Sequence, residues 1–223
     1  MAKRLLIICT LLCMDLFLFV LIYEEKMKDD SIPASTTFYE NVVALTFDDG
    51  PHGTYTKELL DGLKKRNVVA SFFVLGEHIE GNEELIRQMK EDGHLIGNHT
   101  FSHVKLDTLN KEAACDEVKR TCEALESITG EPVEYIRPPY GAYNEDLECL
   151  INLNKVLWTV DPQDWNTTNA DAVVNHILNN VGDGDIILLH DIYPSSVAAA
   201  LRIVDELKVR GYIFVTVEDI LIN

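Results

Sequence analysis

The sequence predicts an α/β protein built on parallel strands in one sheet, open or closed into a barrel, and two observations carry that prediction. From residue 42 onward, short apolar runs alternate with longer amphipathic ones, which is the pattern of β/α units in series. The apolar runs also end in residues that can do chemistry. The first of them, V-V-A-L-T-F, runs straight into Asp48 and Asp49 and stops at Gly50-Pro51, so two carboxylates sit at a strand's C-terminal mouth. In parallel β/α architectures that mouth is where ligands bind, because the loops vary freely while the strands hold them.

A length of 223 residues suits one well-buried domain plus a short extra segment. The net charge of −18 would repel nucleic acid and other polyanions, so a neutral or cationic partner is expected. Residues 1–23 carry Lys3 and Arg4 followed by a long apolar run. They read as a signal anchor, with the membrane held by residues 5–22 and the remainder outside, or as a signal peptide and a secreted protein if that run is cleaved. Residues 24–41 are polar and aperiodic and read as a tether, which leaves residues 42–223 as the folded domain.

Within the domain, strands are expected over residues 42–47, 69–74, 94–98, 133–137, 155–160, 185–189 and 212–216, and helices over 54–65, 83–92, 111–129, 144–152, 170–180 and 195–210. In the third helix Ala114, Val118, Cys122, Leu125 and Ile128 recur at spacings of three and four, forming one core-facing stripe. Gly93, Gly130 and Gly211 supply stop signals. The five cysteines do not read as a disulfide framework. Cys9 and Cys13 lie in the apolar run, and Cys115 and Cys122, seven apart on one helix, are too far apart to bridge and read as small core residues. Without a C-x-x-C pair they do not read as a zinc site either.

His99 and His103 follow the third strand four residues apart, and on a helical turn both imidazoles would project to one side, a metal-ligand spacing. With one carboxylate they would bind a divalent ion and leave positions for water and a substrate oxygen. Such an ion needs a base and an acid nearby. The second carboxylate of the Asp pair serves as the base and His190, just past another strand, as the acid. Arg137 could orient a carboxylate, and because Pro138 and Pro139 have no N–H, the first backbone donor after it is Tyr140, which could serve an oxyanion. Asp164 could pair with His190, and Trp165 could stack on a sugar or cover the core. His52, His78, His94 and His176 read as surface or structural residues.

Taken in order, T-F-D-D-G-P, H-T-F-S-H, R-P-P-Y-G, D-P-Q-D-W and L-L-H resemble the five motifs of the NodB-homology polysaccharide deacetylases, carbohydrate esterase family four, from residue 42 to the C-terminus. The resemblance implies a distorted (β/α) barrel of about seven parallel strands and metal-dependent hydrolysis of N-acetyl groups on an N-acetylglucosamine-containing polysaccharide. Cell-wall peptidoglycan is the first expectation, and a chitooligosaccharide deacetylase, an O-acetyl xylan esterase or a non-catalytic wall-binding protein are the alternatives. By position it implies a catalytic set of Asp48 as base, His190 as acid, Asp164 as its partner and Arg137 to steady Asp48. Asp49, His99 and His103 would hold the metal, zinc first, with cobalt, manganese or nickel as alternatives. Tyr140, Pro139, Trp165 and Leu188 would contact substrate, Leu188 and Trp165 lining a pocket for the acetyl methyl. Relatives acting on muramic acid tend to carry Asn at the second Asp, so the intact Asp49 points away from that branch. A monomer is expected. A non-haem iron oxygenase would also use two His and a carboxylate, but it gives Asp48, Arg137 and His190 no role.

Overall fold

The computed structural model describes residues 41–222 apart from Glu145 and Ile151. The anticipated anchor, and all but the last residue of the tether, lie outside them, and no described helix is long and apolar enough to cross a membrane.

Seven parallel strands form one curled sheet. Val42–Asp48 (β1), Ser71–Val74 (β2), Leu95–Asn98 (β3), Tyr135–Ile136 (β4), Asn154–Lys155 (β5), Asp185–His190 (β6) and Ile213–Phe214 (β7) are arranged in the order β5-β4-β3-β2-β1-β6, with β7 on β1. The helices are Tyr55–Arg66 (α1), Glu83–Glu91 (α2), Lys111–Thr129 (α3), Ala170–Asn180 (α4), Pro194–Val209 (α5) and Val217–Ile222 (α6). β1 is the axis of the sheet. It pairs with β6 along its whole upper length, with β2 at its C-terminal half and with β7 at Val42 and Val43. That register sets Asp48 beside His190.

Apolar burial on the outer faces holds the sheet in shape. Leu59, Leu60 and Leu63 of α1 are fully buried, as are Ala199, Ala200 and Ile203 of α5, in one cluster with Val43, Leu45 and Phe47. Each buried Leu contributes about 1.5–3 kcal/mol over its exposed state. On α3 the expected stripe is present, with Ala114, Val118 and Leu125 buried and Cys122 and Ile128 partly so. Asn110 caps α3 by accepting from the Ala113 N–H at 2.9 Å, and Gly130 ends it at φ 71°.

Three expectations need correction, and a fourth difference is an element that was not expected. The strand expected over 155–160 is broken: Asn154 and Lys155 pair with β4, and only Val160 bridges to Ile187 of β6. Between them the carbonyls of Val156 and Leu157 accept from the Arg137 guanidinium instead. The segment still runs from β4 to β6, so the sheet curls back toward itself. In place of the helix expected over 144–152, the described residues form a 3₁₀ turn, Glu148–Leu150. Leu147 and Leu150, three apart, are buried there beneath α3, a spacing that suits three residues per turn.

Cysteine pairing is the third correction. Cys115 and Cys149 form a disulfide with Cα atoms 5.4 Å apart, and Cys122 is the free thiol among the described cysteines. Spacing along a single helix could not reveal a partner 34 residues away. The fourth is α6, which the sequence reading missed. Thr216 caps it with Asp219, whose Oδ2 accepts from both the Thr216 N–H and its hydroxyl, a pairing close to a capping box and visible in T-V-E-D.

Candidate active site

Four strand ends and one loop deliver side chains to a cavity of about 480 Å³ at the C-terminal mouth of the sheet, lined by Asp48, Asp49, His99, His103 and His190 among others. Each of these lay in a motif. The structure shows what holds them.

Arg137 is entirely buried. Its guanidinium donates to Asp48 Oδ1 at 2.8 Å, Thr46 Oγ1 at 2.7 Å, the Leu157 carbonyl at 3.0 Å and the Val156 carbonyl at 3.3 Å. The ring of Phe73 lies 4.3 Å beneath it. One oxygen of Asp48 is therefore fixed by a cation, while Oδ2 faces His99 Nε2 at 3.7 Å. Burial pulls the Arg137 pKa down and Asp48 pulls it back up, with a net lowering from a value that starts far above neutrality.

The backbone of Arg137 serves the next group. Its carbonyl lies 2.6 Å from His99 Nδ1. A carbonyl can only accept, so Nδ1 carries the proton and Nε2 presents a lone pair. That lone pair faces Asp49 Oδ1 at 3.4 Å, and His103 Nε2 faces the same oxygen at 3.3 Å. Asp49 Oδ1 is buried and makes no well-formed hydrogen bond. Buried acceptors aimed at one another are unfavourable by themselves and favourable around a cation. Asp49, His99 and His103 can bring one donor atom each to within 4.8 Å of one another, so the residues present fit a divalent metal of the two-imidazole, one-carboxylate kind. Burial works to raise the Asp49 pKa, while positive charge on the surrounding imidazoles, His99 first and then His190 and His103, would hold it below the ordinary carboxylate value; the carboxylate is thus placed where positive charge favours it. Burial lowers the pKa of His103.

The two histidines do not lie on a helical turn as expected. The chain from His99 to His103 is a loop in which Thr100 (φ 67°) and His103 (φ 56°) adopt left-handed backbone. Asp49 (φ 73°), Tyr140 (φ 61°) and Gln163 (φ 54°) do the same at the neighbouring strand ends. Non-glycine residues in that region cost energy and persist where surroundings impose them. Glu117 of α3 supplies one such constraint: its carboxylate accepts from the N–H groups of Phe101 and Ser102 and from the Ser102 hydroxyl. Sequence reasoning missed Glu117, since its position on a helix gives no sign of that contact. His78, expected to be a surface or structural residue, is structural: its Nδ1 lies 2.8 Å from the Asp49 carbonyl.

His190 is gripped twice by the buried Asp164, at its N–H (2.8 Å) and at ring Nδ1 (2.8 Å). Its Nε2 is left toward the cavity, 4.0 Å from Asp49 Oδ2. Burial opposes an imidazolium here, but the hydrogen bond and charge of Asp164, with Asp48 and Asp49 nearby, raise its pKa to about 9. Leu188 and the half-exposed Trp165 line the cavity, and Trp158 and Tyr193, not singled out in the sequence, join them. Tyr140 stands exposed at the rim with its ring 4.9 Å from that of His103. Pro139 is buried in the turn beneath it and is not among the lining residues.

A parallel α/β sheet bearing a two-histidine, one-carboxylate cluster that could hold a metal, with an arginine-held carboxylate and a carboxylate-held histidine beside it at one cavity, defines the class of α/β proteins with a candidate metal site at the strand ends. More particularly, the chain belongs to the polysaccharide deacetylase family, whose model matches residues 35–155. It is 39% identical over 203 residues to the peptidoglycan-N-acetylmuramic acid deacetylase PdaC of Bacillus subtilis, covering 89% of this chain and 44% of that protein. It is also 39% identical over 215 residues to a peptidoglycan-N-acetylglucosamine deacetylase of Bacillus cereus, covering 87% and 78%. The chain thus spans less than half the length of the Bacillus subtilis relative. The solved structure of PdaC superposes with a TM-score of 0.79 at 40% identity, over 81% of this chain and 90% of that one.

Proposed function

We propose that this protein hydrolyses N-acetyl groups from an N-acetylglucosamine-containing polysaccharide, with cell-wall peptidoglycan as the glycan. The observation that carries the proposal is the meeting of three units at one cavity: Asp48 with Arg137, His190 with Asp164, and the Asp49, His99 and His103 cluster. The names of the relatives support the choice of bond and polymer.

Asp49, His99 and His103 would hold a divalent metal, zinc on the chemistry of the donor set, and such an ion supplies Lewis-acid polarisation of an acyl carbonyl and a more acidic water. Asp48 accepts the proton of the attacking water at Oδ2, since Oδ1 is held by Arg137. His190 donates from Nε2 to the departing amine nitrogen as the carbon–nitrogen bond breaks, and Asp164 keeps the ring in place. The products are acetate and a free amine. Leu188, Trp165 and Trp158 form an apolar wall for the acetyl methyl, and the Tyr140 N–H assists the developing oxyanion. The protein works as a monomer outside the cytoplasm, anchored by residues 5–22. The Cys115–Cys149 disulfide supports that location, because such bonds persist in oxidising compartments.

The test is acetate release by purified protein, with zinc or with chelator, from peptidoglycan, chitooligosaccharides and acetylated xylan. Rhizobial relatives named chitooligosaccharide deacetylases, 36% identical, are the reason for the second substrate. Mass analysis of the released wall fragments separates N-acetylglucosamine from N-acetylmuramic acid, which the name of the Bacillus subtilis relative brings into consideration despite the intact Asp49. Chelator-sensitive release from wall glycan is expected; none from any substrate would refute the proposal. Recovery of the protein from the membrane fraction, lost on deleting residues 1–23, tests the anchor.

A further inference from the structure

Asp191 follows His190 directly, is fully buried, and has no role in the chemistry above. Adjacent residues at a strand end face opposite ways, and Asp191 is not among the residues lining the cavity. Its Oδ2 accepts from the hydroxyl of Thr56, itself fully buried, and that hydroxyl oxygen accepts from the His52 N–H at 2.8 Å. Asp191 Oδ1 has no hydrogen-bond partner. The carboxylate lies flat against Gly50: a Cβ built there would stand 2.3 Å from Oδ2 and 2.4 Å from Oδ1. Glycine is required at position 50 by this close approach and not by a special backbone conformation.

The segment being gripped is the turn that leaves Asp49. The Gly50 carbonyl accepts from the Leu75 N–H at 2.9 Å, and the Asp49 carbonyl meets His78 Nδ1 at 2.8 Å. Those two contacts hold the turn toward β2, and the Asp191–Thr56–His52 chain holds it toward β6 and α1. Asp49 itself sits in the left-handed region, at φ 73°, which Asp tolerates better than most residues but at a cost that neighbouring contacts offset.

We propose that Asp191 is a positioning residue for the metal-binding carboxylate: by closing against Gly50 and ordering His52 through Thr56, it locks the turn that aims Asp49 at His99 and His103. One dipeptide at the end of β6 would then serve both halves of the site, His190 facing the cavity and Asp191 bracing the metal side from behind. The inference rests on the proposed metal site.

The test measures zinc affinity by calorimetry and ligand geometry from the absorption bands of the cobalt-loaded protein, with circular dichroism to establish folding. Asp191→Ala should weaken zinc binding by about 10- to 100-fold, the usual loss when a partner of a ligand is removed, and should alter the cobalt bands. Asp191→Asn keeps an oxygen for the Thr56 hydroxyl at similar volume and should restore most of the affinity. Thr56→Val, which cuts the chain at its middle, should move in the direction of Asp191→Ala. Folded Asp191→Ala protein with wild-type affinity and cobalt bands would overturn the inference, and if that variant does not fold, unchanged binding in Thr56→Val would do so. Equal loss in Asp191→Asn and Asp191→Ala would overturn positioning in favour of a direct effect of charge. Wild-type protein that binds no metal would remove the metal site and the inference together.

Discussion

Replacing Arg137 by Lys separates what the residue's side chain does from what its backbone does. The guanidinium spreads its donors to Thr46 and Asp48 on one side and to the carbonyls of Val156 and Leu157 on the other. A lysine ammonium is a single point and cannot reach both sides. If it stays with Asp48, the carbonyls of Val156 and Leu157 lose their partner; the buried Val156 acceptor costs about 1–3 kcal/mol when unmet, and the more exposed Leu157 acceptor less. The stability loss should be about 3 kcal/mol, a large share of the roughly 5–15 kcal/mol typical of a domain. Asp48 would remain near a cation but lose its fixed orientation, and a displacement of about 1 Å at the base is enough to lower kcat roughly 100-fold. The metal cluster should be spared, because His99 is oriented by the carbonyl of Arg137 and not by its side chain. Zinc affinity should therefore stay within about threefold of wild type, since no contact to a ligand changes. Urea melts, calorimetric zinc titration and acetate release read the three quantities separately. A variant that loses zinc as severely as it loses rate would refute the division of labour, and one that keeps full kcat would show that Arg137 is only a structural cation.

The adjacent carboxylates should fail differently. Asp49→Asn should lose metal affinity by calorimetry, whereas Asp48→Asn should bind zinc and lose about 100-fold or more in rate, the contribution of a general base. His94, buried with its pKa lowered to about 4 by desolvation and its Nδ1 accepting from the Ala70 N–H, gives the fold a pH dependence. Its neutral form belongs to the fold, so its contribution is complete above the unfolded value near 6.5 and is lost as pH falls toward 4, up to about 3 kcal/mol. His94→Asn keeps an acceptor for Ala70 and should flatten urea midpoints across that window by one proton's worth. Reduction, or Cys149→Ser, opens a 34-residue loop and should cost about 4 kcal/mol by chain entropy, with a lower melting temperature and unchanged acetate release at 25 °C.

Much of this molecule was legible in its sequence, for a physical reason. Strand and helix periods are local, so α3 and α4 fall where the apolar spacing put them, and β1 ends in Asp48, one residue beyond the apolar run. The site residues announced themselves because chemistry fixes residue types: two imidazoles near a carboxylate pair, an arginine before two prolines, a histidine after an apolar run. What depended on distant partners stayed hidden. The break between β5 and Val160 follows from carbonyls diverted to Arg137, and Cys149 meets Cys115 only when the segment after β4 folds under α3. Glu117, His78 and Asp191 carry no motif, because they act by holding backbone in place and many sequences could supply such a hold. Residue types and local periods were enough to bring a charged strand end and two histidines together on a β/α scaffold. Which oxygen of Asp48 is tied to Arg137, which nitrogen of His99 faces Asp49, and what holds Asp49 in its left-handed turn could be read only from the folded chain, since each depends on groups brought together from far apart in sequence.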